Sequence, residues 1–317
     1  MWGDLLYIVL GLVLLVFGGD WLVKASVSLA IKLKVSTLVI GLTVVSFATS
    51  APELIVSLSA ALQGYTDISF GNVIGSNIAN VGLILGITAL IKPIDINVKS
   101  ARFDLFFLIS LTILFFVLVF WDHKLGHTEG FILLFALSAF VFYKVRRSRI
   151  EKKIELESEV DIPEPEVNPW KIGFYFVIGA LALRYGAFFL VGHSVRLALQ
   201  IGIDERMISV TILAFGTSVP ELAASVIAAM RNESDIAFGN VIGSNLFNIG
   251  AVLGLTSVLT EIPVNNLSLF TFDYWWALGF SLLLIPLAIT GRFNRINRWE
   301  GGVLLLAYIS YILIIVN

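Results

Sequence analysis

The chain has 317 residues, of which 58% are hydrophobic and 14% are charged. Soluble domains carry roughly 25% charged residues, so this composition predicts an all-α membrane protein with several spans. The apolar segments are continuous rather than alternating, which disfavours a transmembrane β-barrel. A net charge of −2 gives no indication of nucleic-acid binding, and the absence of cysteine excludes disulfides and thiolate metal sites.

Ten segments are apolar enough to cross a bilayer, which takes about 20 residues of helix. Lys and Arg favour cytoplasmic loops. With the N-terminus outside, seventeen of these residues fall in inside loops and three in outside loops. We therefore expect an integral protein of the cytoplasmic membrane with both termini outside. The predicted spans are 4–22, 37–62, 70–91, 103–121, 128–144, 171–191, 207–230, 238–260, 273–290 and 300–316.

The second half of the chain repeats the first at a constant offset of 168 residues. Residues 43–91 align with 211–259 without a gap, and 25 of the 49 positions are identical. The octapeptide Phe-Gly-Asn-Val-Ile-Gly-Ser-Asn at 70–77 recurs unchanged at 238–245. Such a match combines glycine and polar positions inside apolar spans, so low complexity does not explain it.

Each half holds five predicted spans, and an odd number means that the second copy enters the membrane upside down. The sequence therefore predicts ten transmembrane helices arranged as two inverted repeats, 1–144 and 170–317. The stretch 145–169, which runs from basic to acidic, is predicted to be a solvated cytoplasmic linker. Inverted repeats are typical of secondary transporters, which bind their substrate near the membrane midplane.

Each repeat places a glutamate directly after a proline within an apolar span, at Pro52-Glu53 and Pro220-Glu221. Proline removes an amide donor and frees a carbonyl group, which at membrane depth must face protein, water or an ion. Ionisable residues at that depth are rare and usually functional. A carboxylate, hydroxyls and free carbonyls together form an all-oxygen ligand set, which suits hard cations such as Ca²⁺ and Na⁺.

Four-residue spacing places more oxygen-bearing side chains on the same helix faces. Two such helices in each repeat are predicted to form the walls of a polar pocket. The residues alone leave open whether six of the polar side chains merely join helices by hydrogen bonds: Ser57, Asn72, Asn77, Ser225, Asn240 and Asn245. The series are Thr49, Glu53, Ser57 and Asn72, Ser76, Asn80 in the first repeat, and Thr217, Glu221, Ser225 and Asn240, Ser244, Asn248 in the second.

Charge balance indicates a mechanism. Two ionised glutamates give the pocket a charge of −2, which one Ca²⁺, two Na⁺ or two protons would neutralise. Burying an uncompensated carboxylate costs several kcal/mol. Closing the pocket to both sides of the membrane is then favourable only with cations bound. Because the protein cannot switch back with an empty pocket, it is predicted to be an exchanger.

Three other carboxylates are given structural roles. Asp20, at the end of span 1, is expected to be an interfacial cap or part of a salt bridge, and its repeat counterpart is Phe188. Asp67 and Asp235 precede spans 3 and 8 and are predicted to cap those helices.

The paired Thr-Ser-x-Pro-Glu motifs, each followed by Gly-Asn-Val-Ile-Gly-Ser-Asn-x-x-Asn, resemble the α-repeats of the cation/calcium antiporter superfamily, most closely those of prokaryotic sodium/calcium exchangers. The resemblance covers nearly the whole chain. It implies an ion pathway formed by spans 2, 3, 7 and 8, with spans 1 and 6 sliding as the access switch. It implies a calcium site at Glu53 and Glu221, with backbone oxygens of Thr49 and Thr217. The sodium ligands that it implies are Ser46, Thr49, Ser50, Glu53, Ser76, Asn80, Ala214, Thr217, Ser218, Glu221, Ser244 and Asn248.

The predicted function is therefore a sodium-driven calcium antiporter that extrudes calcium. We expect no cofactor and no obligate protein partner; the expected partners are the lipid bilayer and the transported ions, Ca²⁺ and Na⁺. Proton coupling and potassium coupling remain alternatives, although Asn248 stands where the potassium-coupled relatives carry Asp. A passive channel is disfavoured because there is one pocket rather than rings of ligands. An enzyme is disfavoured because His123, His127 and His193 lie in loops or at span ends.

Overall fold

The computed structural model describes residues 2–158, 168–201, 216–290 and 294–316. Nearly all of these residues are helical, as the composition predicts. By length and composition, eight of the described helices can cross a membrane, and a ninth candidate is a pair of helices separated by a short break. The seventh predicted span begins outside the described residues, so the number ten stays a prediction.

The helices follow the order of the predicted spans. They are α1 (Trp2–Leu33), α2 (Thr37–Thr49), α3 (Ala51–Leu62), α4 (Thr66–Ile91), α5 (Val98–Phe120), α6 (His127–Ser158), α7 (Pro169–Gln200), α8 (Val219–Met230), α9 (Ser234–Leu259), α10 (Leu269–Ala288) and α11 (Arg298–Val316).

The repeat in the sequence is also a repeat in secondary structure. Helices α3 and α8 begin and end at positions related by the 168-residue offset, and so do α4 and α9. In both α3 and α8 the proline occupies the first turn, where its missing N–H breaks no hydrogen bond within that helix. The glutamate that follows lies in the same turn, where the helix dipole favours negative charge.

In the described part of the chain four short strands lie at the ends of spans, and the sequence did not predict them. Strand β1 (Ile94–Asp95) pairs antiparallel with β4 (Arg295–Ile296), and β2 (Lys124–Leu125) pairs with β3 (Ile262–Pro263). An ion pair reinforces the first ladder, with Arg295 Nε 2.5 Å from Asp95 Oδ1. Two-residue strands are too short for a visible alternation of apolar residues, so no sequence pattern indicated them.

Helix α6 continues through the first part of the predicted linker and ends at Ser158. An ion pair between Arg147 and Glu151, one turn apart, supports this extension. Ser148 is buried, and its hydroxyl accepts a hydrogen bond of 2.8 Å from the backbone N–H of Ser36. The extension therefore contacts the residue that caps α2. Residues 159–167 lie outside the described part of the chain.

The chain divides into two compact units, each of which takes segments from both repeats. The first unit comprises residues 1–49 and 139–240, and the second comprises 50–138 and 241–317. The predicted division at the linker concerns the sequence repeats and stays a prediction.

Within the first unit, α1 and α7 pack through four glycines. A methyl group added at Gly11 would lie 2.8 Å from the carbonyl oxygen of Gly186, and one at Gly18 would lie 3.0 Å from that of Gly179. These pairings show that the helices run antiparallel with their backbones in contact. The offset of 168 relates Gly11 to Gly179 and Gly18 to Gly186, so the contact maps onto itself when the two copies are exchanged.

Asp20, Asp67 and Asp235, the three aspartates for which structural roles were predicted, take defined partners. Asp20 pairs with Lys24 at 2.8 Å and also with Arg231, so a salt bridge is confirmed there. The predicted capping roles of the other two are wrong. Asp67 accepts hydrogen bonds from the backbone N–H groups of Asn265 and Asn266, and Asp235 accepts one from Thr37 Oγ1. Both residues lie inside the first turn, so their side chains face neighbouring segments instead.

Candidate ion-binding site

Each proline–glutamate motif lies just after an interruption of helical backbone. Ser50 precedes α3 with φ −82° and ψ 5°, and Ser218 precedes α8 with φ −89° and ψ 3°. Because Pro52 and Pro220 have no N–H, the helical pattern offers no donor to the carbonyls four residues earlier. The same interruption of the helical hydrogen-bond pattern therefore occurs in both copies, at the same sequence spacing from the glutamate.

In the second unit, Glu53 is buried, with 1% of its surface exposed. Its backbone carbonyl accepts a hydrogen bond of 3.3 Å from Asn72 Nδ2, which also donates to Ser57 Oγ at 2.9 Å. Asn72 thus links α4 to α3 at the glutamate itself and one turn later, at Ser57. The link fixes the first turn of α3, and with it the backbone position of Glu53.

In the first unit, the copied motif has the same arrangement. Glu221 is 1% exposed, and Asn240 Nδ2 donates to its carbonyl at 3.3 Å and to Ser225 Oγ at 2.9 Å. Asn240 Oδ1 accepts a further bond of 3.2 Å from Thr49 Oγ1. Here the structure answers a question that the residues left open, because this asparagine–serine pair joins helices, as its copy does in the second unit.

A second group of asparagines meets between α4 and α9 within the second unit. Asn77 Nδ2 donates to the backbone carbonyl of Asn245, and Asn245 Nδ2 donates to that of Asn77, both at 3.3 Å. Asn80 Nδ2 donates to Asn245 Oδ1 at 2.9 Å, and Asn248 Nδ2 donates to Asn77 Oδ1 at 3.0 Å. Exchanging the two repeat copies maps this network onto itself.

Several predicted ligand atoms are buried oxygens that have no hydrogen-bond partner within the described segments. They are the hydroxyls of Ser218 and Ser244 and the amide oxygens of Asn80 and Asn248. Asn80 and Asn248 are also the first residues of π-helical turns, Asn80–Leu85 and Asn248–Leu253. Turns of this kind often occur at functional sites. Buried, unpartnered oxygens are chemically suited to a cation.

The predicted site residues are distributed over both units. The first unit holds Ser46, Thr49, Thr217, Ser218 and Glu221, and the second holds Ser50, Glu53, Ser76, Asn80, Ser244 and Asn248. Ala214 lies outside the described residues. Thr217 is partly exposed, and the other members are buried.

Two acidic residues within apolar helices were missed by the sequence reasoning. Asp104 on α5 is fully buried, and Asp273 on α10 accepts a hydrogen bond of 2.9 Å from the Tyr311 hydroxyl. Both follow a phenylalanine, in Phe103-Asp104 and Phe272-Asp273. An acidic residue in an apolar run was the available signal, but both residues lie outside the ungapped repeat of 43–91 and 211–259.

Apolar helices, duplicated buried carboxylates and oxygen-rich side chains define a membrane protein suited to ion transport. The sequence model of a family described as "Sodium/calcium exchanger protein" matches residues 4–146 and 171–317. The chain is 36% identical to the putative antiporter CaxA of Alkalimonas amylolytica, over 96% of each chain. It is 34% identical to the sodium/calcium exchanger MaX1 of Methanosarcina acetivorans, over 98% of each chain.

A solved structure agrees with these matches. The sodium-calcium exchanger NCX_Mj, soaked with zero Na⁺ and Ca²⁺, superposes with a TM-score of 0.82 at 32% identity and covers 98% of each chain. The chain belongs to the sodium/calcium exchanger family, which confirms the resemblance to cation/calcium antiporters. It is accordingly an integral membrane transporter of ions rather than an enzyme.

Proposed function

We propose that this protein is a sodium-driven calcium antiporter of the cytoplasmic membrane that works by alternating access and extrudes calcium. The observation that carries the proposal is the duplicated motif. Glu53 and Glu221 are both buried, and in each unit an asparagine holds the backbone of the glutamate at the same distances. Two carboxylates with matched surroundings give a charge that one Ca²⁺ or two Na⁺ balances.

The calcium ligands in this proposal are the two glutamate carboxylates and the backbone oxygens of Thr49 and Thr217. Calcium takes 6–8 oxygen ligands and tolerates irregular geometry, so carboxylates combined with carbonyl groups suit it. A buried charge that loses its partner costs about 3–5 kcal/mol, and for the two glutamates the partner is the bound cation. Movement of the empty, doubly charged site is therefore strongly disfavoured, which couples calcium transport to a counter-ion.

The sodium ligands in this proposal include the side-chain oxygens of Ser218, Ser244, Asn80 and Asn248. Their burial without a hydrogen-bond partner in the described segments supports this role. Ser46, Ser50, Ser76 and Ala214 complete the proposed set together with the threonines and glutamates. Neutral hydroxyl and amide oxygens favour sodium over a proton, which needs only the carboxylates.

Alternating access follows in this proposal from an inverted arrangement of ten helices, with both termini outside. The contact between α1 and α7 supports it. These helices are repeat counterparts, and they run antiparallel with their glycines paired across the contact. Inverted copies are related by a pseudo-two-fold axis in the membrane plane. Two such copies can exchange conformations, so that one site opens to either side of the membrane in turn.

The decisive experiment is calcium uptake into vesicles that contain the purified protein. Vesicles loaded with sodium are diluted into sodium-free choline medium containing ⁴⁵Ca²⁺. We expect uptake that requires the outward sodium gradient and is absent when sodium is equal on both sides. Vesicles without protein and vesicles with the Glu53→Gln variant serve as controls.

The same assay separates the alternatives. Calcium uptake that is driven by a pH gradient without sodium, and equals the uptake driven by a sodium gradient, would favour proton coupling. A strict requirement for potassium would favour potassium coupling, which the neutral Asn248 disfavours. Uptake without any counter-ion would indicate a channel.

A further inference from the structure

The asparagine network between α4 and α9 determines which atom two of the proposed ligands present. Amide groups have an oxygen end and a nitrogen end of similar shape, and hydrogen-bond partners decide their orientation. Only the oxygen end can bind a cation. The orientation of Asn80 and Asn248 is therefore a functional property.

Two backbone carbonyls fix the polarity of the whole network. A backbone carbonyl only accepts hydrogen bonds, so the group that Asn77 directs at the carbonyl of Asn245 must be its NH₂ group, at 3.3 Å. The oxygen of Asn77 then faces Asn248, which must present its NH₂ group to it, at 3.0 Å. The oxygen of Asn248 is consequently directed away from Asn77.

The symmetric half of the network works in the same way. Asn245 donates to the carbonyl of Asn77 at 3.3 Å, so its own oxygen accepts from Asn80 Nδ2 at 2.9 Å. The oxygens left over, Oδ1 of Asn80 and Oδ1 of Asn248, are buried and have no hydrogen-bond partner among the described residues. Both orientations thus trace back to main-chain groups that cannot reverse.

We infer that Asn77 and Asn245 are positioning residues for sodium: each locks the amide of a proposed ligand, Asn248 or Asn80, with its oxygen available to the ion. This inference rests on the proposed function and adds two residues outside the proposed ligand set. Without the acceptor at Asn77, the amide of Asn248 can rotate and present NH₂, which repels a cation. Calcium, whose proposed ligands do not include Asn80 or Asn248, should be affected much less.

The test compares two replacements at each positioning residue in the vesicle assay. Asn77→Leu removes the acceptor at similar volume, whereas Asn77→Asp keeps an acceptor oxygen toward Asn248. We expect Asn77→Leu to raise the sodium concentration for half-maximal exchange about tenfold, the factor that corresponds to one net hydrogen bond of about 1.4 kcal/mol. Asn77→Asp keeps that acceptor but loses the NH₂ group donated to the carbonyl of Asn245, so it should raise the concentration less than Asn77→Leu does. Asn245→Leu and Asn245→Asp should behave in the same way through Asn80.

Calcium/calcium exchange, measured without sodium, separates positioning from general damage. The calcium concentration for half-maximal exchange should change less than about twofold in Asn77→Leu, because the proposed calcium ligands do not include Asn248. A general loss of structure at the calcium site would change that concentration by more than this. The control is Thr88→Val, which removes a buried hydroxyl that bonds the Ile84 carbonyl on the same helix. It should leave both ion dependences unchanged.

A double-mutant cycle distinguishes orientation of the Asn248 amide from a role of Asn77 in packing alone. A carboxylate at position 248 presents oxygen in either orientation. In an Asn248→Asp background, Asn77→Leu should therefore raise the sodium half-saturation far less than it does alone. Additive effects would overturn the inference.

The outcomes distinguish this inference from the proposed function. If the unmutated protein lacks sodium dependence, both are overturned. If it is sodium-dependent but Asn77→Leu and Asn245→Leu keep their sodium half-saturation, or lose calcium/calcium exchange equally, only the positioning role is overturned. Should Asn77→Leu fail to fold, the Asn245 variants decide by the same criteria.

Discussion

The proline–glutamate helices and the long helices α1 and α7 are both products of the duplication, yet they have diverged differently. In α3 and α8 the glutamate and its asparagine–serine link keep the same hydrogen bonds at the same distances. In α1 and α7 the contact glycines are repeated, but Asp20 corresponds to Phe188. The comparison teaches that the hydrogen bonds around the two glutamates and the glycine contact between helices obey the repeat, whereas the ion pair of Asp20 does not.

The largest effect is expected from Glu53→Gln or Glu221→Gln. In the proposed site each substitution removes one of the two charges that balance calcium, at nearly constant volume, so sodium-driven ⁴⁵Ca²⁺ uptake should fall on the order of 100-fold or more. The matched control is Glu261→Gln, which weakens only an exposed ion pair with Lys124. Near-normal uptake by either variant would contradict the equivalence of the two motifs.

Alanine substitutions at Gly18 and Gly179 test the contact between α1 and α7. A Cβ atom at either position would lie 2.8 Å from backbone nitrogen of the other helix, so we expect each to lower the free energy of unfolding by about 1–3 kcal/mol. Thermal unfolding in detergent measures this. Gly173→Ala and Gly192→Ala on α7 are the controls, since a Cβ there meets nothing within 4 Å. Equal destabilisation at all four positions would show that the close approach has no energetic role.

A smaller effect on the free energy of unfolding is expected at Asp20, whose ion pairs have no counterpart in the second repeat. Asp20→Asn removes the charge that pairs with Lys24 and Arg231, and because both cations are about half exposed the loss should be about 1 kcal/mol or less. Unfolding at low and high salt should show the difference shrinking as salt screens the pair. Exchanging the charges, with Asp20→Arg and Arg231→Asp together, should recover part of the stability; no recovery would argue against direct pairing.

The smallest effect is expected from replacing residues 159–166 with a glycine–serine segment of equal length. The replacement begins after Ser158 because α6 continues to that residue and its Ser148 contacts the cap of α2. Calcium half-saturation should change less than about twofold, since the segment is polar and acidic and lies outside the predicted spans. A large shift would indicate that this acidic segment senses calcium. A replacement that also removes 145–158 should be more harmful.

The sequence alone determined that this chain is a helical membrane protein, that it is duplicated, and that each copy places a glutamate after a proline in an apolar helix. Hydrophobic length, a constant repeat offset and a proline beside a buried carboxylate are local signals, readable without partners. The roles of Asn72 and Asn77 were not readable in this way. Both are polar residues in the same apolar helix, yet one joins α3 to α4 and the other orients the amide of Asn248 on a distant helix.

Only the tertiary structure decided such roles, because an amide has two ends and the sequence does not state which partner takes which end. The same holds for Asp67, whose side chain accepts from main-chain groups about 200 residues away rather than capping its own helix. It also holds for the π-helical turns that begin at Asn80 and Asn248, which no residue of the sequence marks. Periodicity indicates which face of a helix a residue occupies, but the partner brought to that face by the fold determines whether the residue binds an ion, orients a ligand or joins two helices.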